Sequence, residues 1–160
     1  MADSTSQLVS FTIDNQLLAI PIEVVERIVR AVAVTPIGKA PDTIQGIIDY
    51  HGEIVPVLNL RKRLGFSDRP IGSSDRLILI KTSIRRLAIT VETIQDLIPE
   101  NKGRTATAGL FPAPVEAEGI TRCSDGLILI YDPEKFLSVS EEIDLLKALT
   151  RTMNKVKSDG

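Results

Sequence analysis

The chain of 160 residues holds one cysteine, one histidine and no tryptophan, and only 4% of it is aromatic. A lone Cys123 excludes an internal disulfide and suits a reducing compartment. A lone His51, with no Cys–His cluster at ligand spacing, leaves no metal set and no nucleophile–base pair, so neither metal nor catalytic residues are expected. Phosphate-cradling glycine loops of the G-x-x-x-x-G-K-[ST] or G-x-G-x-x-G kind are missing, which removes the commonest nucleotide cofactors. The net charge of −2 sets up no field toward nucleic acid or acidic lipid, and scarce aromatics offer no base-stacking platform. No apolar run approaches the ~18 residues of a membrane-spanning helix, so no direct membrane insertion is expected. Residues 1–7 lack the basic start and apolar stretch of a secretion signal, which makes the cytoplasm the expected location.

What the chain does have is a near-copy of itself. Leu18-Ala19-Ile20-Pro21-Ile22-Glu23 returns as Leu87-Ala88-Ile89-Thr90-Val91-Glu92. Val25, Ile28 and Val29 return as Ile94, Leu97 and Ile98, Gly46-Ile47 as Gly119-Ile120, and residues 54–64 as 127–137. Blocks that agree in order imply a duplicated supersecondary unit, two similar lobes, and a seam between them where a partner would bind. The expected division is repeat one over residues 8–64, a linker over 65–76, repeat two over 77–137 and a C-terminal helix over 141–153, all in a single domain.

Each repeat reads mainly as β. Residues 8–13 and 17–22 are strands around an Asp14-Asn15 turn, and 44–50 and 54–58 form a hairpin in which Gly52 supplies a positive φ. In repeat two, strands are expected at 77–81, 87–91, 120–122 and 127–131, with a Ser124-Asp125-Gly126 turn in the last pair. The spacing of Ile22, Val25, Ile28 and Val29 predicts a short helix over 22–30, and its copy predicts another up to Ile98. Residues 60–64 form a helical turn ended by Gly65. A Gly-, Ala- and Thr-rich loop covers 99–114. In the last helix Ile143, Leu146, Leu149 and Met153 make one stripe, with Ser140 as N-cap, and the tail from residue 155 frays. Many short strands must expose edges or close, so two small barrels with short helices and a C-terminal amphipathic helix are the expected fold.

Gly46-Ile47-Ile48-Asp49-Tyr50-His51-Gly52-Glu53-Ile54-Val55-Pro56-Val57-Leu58-Asn59-Leu60-Arg61 resembles the signature of CheW-like domains, G-V-x-N-L-R-G-x-I-x-P-V-x-D-L-R. The likeness extends to Ala19-Ile20-Pro21-Ile22 with Val25 and Ile28, to the proline loop from Thr35-Pro36 to Pro41, and to Ala88-Ile89-Thr90-Val91-Glu92. It spans residues 8–149. The resemblance implies two SH3-like β-barrels around an apolar seam and a non-catalytic adaptor. Its implied partners are the regulatory domain of a CheA-type histidine kinase and the cytoplasmic helical tip of a chemoreceptor. A chain with this domain alone is similar to stand-alone adaptors rather than to the kinase.

Four positions depart from the family pattern: His51 stands for its arginine, Arg27 for an acid, Asn59 for an aspartate and Glu92 for an aspartate. These departures put ordinary receptor coupling in question, and they admit an adaptor of another pathway, such as surface motility or polarity, with a different helical partner. A small-barrel binder of nucleic acid or oligosaccharide is a more remote alternative. The expected partner-binding residues are Ile22, Val25, Arg27, Ile28, Gly46, His51, Gly52 and Asn59. The apolar members would take helix anchors, and Arg27 and His51 would set the polar rim. Arg61-Lys62-Arg63 with Arg27 and Arg30 reads as a basic surface cluster, and Cys123 as a packing position.

Overall fold

The computed structural model describes residues 7–99, 119–123 and 126–159. Among the described residues ten strands make two five-stranded sheets. The first contains β1 (Gln7–Ile13), β2 (Gln16–Pro21), β8 (Thr93–Pro99), β9 (Gly119–Cys123) and β10 (Gly126–Ile130). The second contains β3 (Val25–Arg30), β4 (Ile44–Tyr50), β5 (Glu53–Leu58), β6 (Arg76–Lys81) and β7 (Arg86–Val91). The strand orders are β8-β1-β2-β10-β9 and β3-β6-β7-β5-β4, two small SH3-like barrels of the same plan. Most of the 99–114 loop, the Ser124-Asp125 turn and the Cys123 side chain lie outside the described residues.

The repeats do not each build a barrel. β1 and β2 of the first copy join β8, β9 and β10 of the second, while β6 and β7 of the second join β3, β4 and β5 of the first. The registers match position for position. Leu8 pairs with Pro21 and its copy Leu77 with Thr90. Leu8 also pairs with Ile98, as Leu77 pairs with Val29. In the parallel contacts Ala19 pairs with Ile130, and its copy Ala88 with Val57. The duplication is therefore visible in hydrogen-bonded pairing, with the copies interlocked.

Burial explains the apolar runs in these strands. Within the first barrel Leu8, Ala19, Ile128 and Ile130 form a small core. Leu77, Leu79, Ala88 and Val57 do the same in the second. The alternate residues, among them Phe11, Ile20, Ile78, Ile80 and Ile89, face a third and larger core shared between the barrels, joined by Phe136 and Leu145 from the C-terminal segment. A strand covered on both faces loses its polar alternation.

Two expected helices are strands. Only Ile22–Val24 makes a 3-10 turn, and β3 follows at once; the copy of that region is β8. The reason is a β-bulge. On β3 Val25 pairs with Ile80 and Arg27 with Leu79, so Glu26 is the extra residue. The insertion puts Val25 and Ile28 on one face at a spacing of three, which imitates helical periodicity. On β8 an equivalent shift separates Ile94 from Leu97, and the buried Ser10 hydroxyl donates to the Asp96 carbonyl there at 2.5 Å.

The remaining local elements follow their sequence signals. α1 (Leu60–Leu64) is N-capped by Asn59, whose Oδ1 accepts from the Lys62 amide, and Gly65 ends it at φ 85°. α2 runs over Val139–Asp159, past residue 155 where fraying was expected. Its cap is Ser138, not Ser140: Ser138 Oγ accepts from the Glu141 amide, and the Glu141 carboxylate accepts from the Ser138 amide at 2.9 Å. The face it packs on the body is Leu145, Ala148 and Leu149, so of the expected stripe only Leu149 points inward.

Candidate partner-docking site

The β4–β5 hairpin turns on His51 at φ 52° and Gly52 at φ 87°. Two successive left-handed residues are what a two-residue hairpin with right-handed strand twist requires. Asp49 Oδ1 accepts from the Gly52 amide at 2.8 Å and fixes the turn. The His51 ring lies edge-on to Tyr50, with centroids 4.3 Å apart. The neighbouring strand β3 brings Arg27 to the same place, and the two residues line a concavity of about 340 Å³ with Tyr50 and Leu79.

A charge cluster forms its other wall. Arg86 donates from Nε and Nη2 to the two oxygens of Glu26 and from Nη1 to Glu53. Those bonds hold the Glu26 carboxyl below its ordinary range and the Arg86 guanidinium above its own. Both acids of the concavity are thus committed to Arg86, and Arg27 with the imidazole faces outward beside them. Sequence reading picked out Arg27 and His51 but not Tyr50, Leu79, Arg86 or Glu53. The ion pairs of Arg86 span 60 and 33 residues of chain, so no local pattern announces them.

The other expected residues are placed elsewhere. Ile28 is 39% exposed on the same strand as Arg27. Val25 packs partly into the shared core, and Ile22 is half-buried in the 3-10 turn. Gly46 is buried where residues 31–43 cross β4: Thr35 and Ile47 exchange two backbone hydrogen bonds of 2.9 and 2.8 Å, which close the second barrel. Asn59 is buried too. Its amide donates to Asp68 Oδ1 at 2.8 Å and holds that carboxyl below its ordinary range. An aspartate at 59 would face Asp68 charge to charge, so the departure from the family pattern fits this loop.

The expected basic cluster does not exist as a surface. Arg61 is buried and donates to Asp14, to the Ser67 carbonyl and to Glu92. Arg63 pairs with Glu141 at 2.9 Å. Only Lys62 of the three is exposed. Arg61 instead ties the β1–β2 turn and residue 92 to α1, and Arg69 extends the clasp by a bidentate pair with Asp75, 2.9 Å on each arm. Arg69, with the Gly72 amide, holds the Asp75 carboxyl below its ordinary range. Among the described residues no group of three His, Cys, Asp or Glu is placed to hold a metal, and no helix is long and apolar enough to cross a membrane.

Comparison with known proteins agrees with this architecture. The CheW-like domain family matches residues 7–141. The chain is 38% identical over 136 residues to the chemotaxis protein CheW of Thermotoga maritima, covering 82% of this chain and 87% of that protein. It is 27% identical over 146 residues to the chemotaxis protein CheW of Treponema pallidum, covering 87% and 86%. The crystal structure of the scaffolding protein TtCheW from Thermoanaerobacter tengcongensis superposes with a TM-score of 0.77 at 25% identity, covering 86% of this chain and 96% of that one. With a matching signature, twin barrels and relatives alike over most of their length, the chain belongs to the CheW-like domain family.

Proposed function

We propose that this chain is a non-catalytic adaptor of chemosensory signalling, joining a CheA-type histidine kinase to the cytoplasmic helical tip of a chemoreceptor. The observation that carries the reading is the family match over residues 7–141, together with the likeness to a CheW scaffold at a TM-score of 0.77. The two partners come from the family resemblance. The scaffold works in the cytoplasm, and its contribution is geometric: two barrels held in fixed relation present two surfaces at a set offset.

The concavity around Arg27 and His51 is the part of that surface that selects the receptor. Its own acids are occupied by Arg86, which leaves Arg27 and His51 to meet an acidic side chain on an incoming helix, with the half-buried Tyr50 ring supplying apolar contact. Val25, Gly46, Gly52 and Asn59 act at one remove, by fixing the strand, the hairpin and the helix start that carry those side chains.

Isothermal titration of the full chain against a kinase regulatory domain and against a receptor-tip fragment tests the assignment. Binding to both is expected at about 10 µM or tighter, and Arg27→Glu with His51→Glu should weaken the receptor arm by roughly tenfold while sparing the kinase arm. No complex with either partner at ~100 µM would remove the adaptor reading.

A further inference from the structure

The exposed face of α2 repeats its apolar residues in heptads. Val139, Ile143, Leu146 and Met153 are 79%, 49%, 56% and 44% exposed, and Thr150 completes the series. The intervals are four, three, four, three, so the five lie on one seam about 21 Å long. Leu145 and Ala148, packed on the body, are turned well away from it, while Leu149, also packed on the body, flanks its edge at a g position. Within a helix of 21 residues this is a coiled-coil seam without a second strand, unlike the scattered single apolar residues of an ordinary surface.

We propose that this seam pairs with the same helix of a second copy, parallel and in register, to form a two-stranded coiled coil. Three features favour that occupant. The a positions, Ile143 and Thr150, are β-branched and the central d position is Leu146, the distribution that selects two parallel strands. The flanking g and e positions are Glu142 and Lys147, five residues apart, so two parallel copies place Glu142 of each beside Lys147 of the other. Glu142 already accepts from Arg85 Nε at 2.6 Å through Oε1, and this anchors its carboxylate at the edge of the seam. Finally, a two-fold axis along the helices sets the two bodies on opposite sides of the pair, because each body lies behind its own helix.

Sedimentation equilibrium on the full chain reads the mass directly. A seam of two heptads is a small interface, so the dimer is expected to fill between roughly 10 and 200 µM. Ile143→Glu with Leu146→Glu should leave a monomer throughout that range with unchanged far-UV circular dichroism. Lys147→Glu alone should weaken the dimer about tenfold, since two attractions become repulsions. Mixing Glu142→Lys chains with Lys147→Glu chains should give a mixed dimer in preference to either parent. Wild-type protein that stays monomeric at ~200 µM overturns the proposal, as does a dimer that survives the seam double variant. A dimer lost in that variant but with no preference for the mixed pair overturns the parallel register.

Discussion

Replacing Gly46 by alanine should open the second barrel. A Cβ built on Gly46 would lie 2.2 Å from the Thr35 carbonyl oxygen, 2.7 Å from its carbon and 2.8 Å from Val34 Cγ1. Two of those atoms are backbone, so no rotamer change relieves them. The crossing must move, and the paired Thr35–Ile47 hydrogen bonds go with it. Two such bonds contribute about 1–3 kcal/mol. The Gly46 φ of 155° is in addition one that a side chain rarely adopts, which costs about 1–3 kcal/mol. The sum, about 2–6 kcal/mol, is a large part of the 5–15 kcal/mol that holds a typical domain together. Gly52→Ala is the matched control. Its φ is 87° but nothing lies within 4 Å of the new Cβ, so only the backbone preference is lost, about 1–2 kcal/mol. Urea unfolding followed by circular dichroism measures both, and hydrogen exchange at the Thr35 and Ile47 amides reports the closure itself. Equal losses in the two variants, or a Gly46→Ala loss under ~1 kcal/mol with both amides still protected, would refute the reasoning.

Ile20→Ala and Ile89→Ala remove equivalent, fully buried side chains from the shared core, and each should cost about 2–5 kcal/mol in urea unfolding. Arg61→Met strands Glu92 and Asp14 beside an apolar stem; because the Asp14 side chain is 40% exposed and Glu92 keeps Arg69 at 3.5 Å, the loss should be about 2–3 kcal/mol, short of that for a fully buried pair. Asp75 is held below its ordinary value of 3.8 by Arg69, so its stabilisation is complete above that value and is lost as pH falls through the lower folded value. Urea midpoints should accordingly decline as acid is added below about pH 5, and Asp75→Asn should flatten that decline. Cutting the chain at residue 68 divides the strands of both sheets, so neither fragment should show cooperative thermal unfolding alone, while an equimolar mixture should recover it.

The repeat was legible because equivalent residues meet equivalent constraints. Ala19 and Ala88 both lie on parallel partners inside a barrel, and Ile20 and Ile89 both face the common core, so each pair stayed alike. Which sheet a strand joins left no trace in the sequence. Leu8 needs an apolar neighbour whether its partner is Ile98 or Val29, and exchanging the partners changes no local preference. The bulges at Glu26 and in β8 misled for a different reason, since one inserted residue converts a period of two into an apparent three. In the candidate site, Arg27 and His51 could be found because they break a motif. Arg86 could not, because its meaning lies in Glu26 and Glu53, which only folding brings to it. Arg61 looked like surface charge for the same reason: its counterions are 47 residues before it and 31 after.

The interlocking of the two copies carries a cost and a benefit for how such a protein can change. Neither cylinder is encoded by one half of the gene, so a destabilising substitution in either half is felt in both cylinders at once. The halves must drift together, and a recombinant that imports one half from a distant cousin inherits two mismatched joints rather than one. In return, among the described strands the chain passes from one cylinder to the other at two places, residues 22–24 and residue 92, which are copies of each other. A load applied to one cylinder therefore reaches the other through a symmetric pair of straps as well as through the core they share.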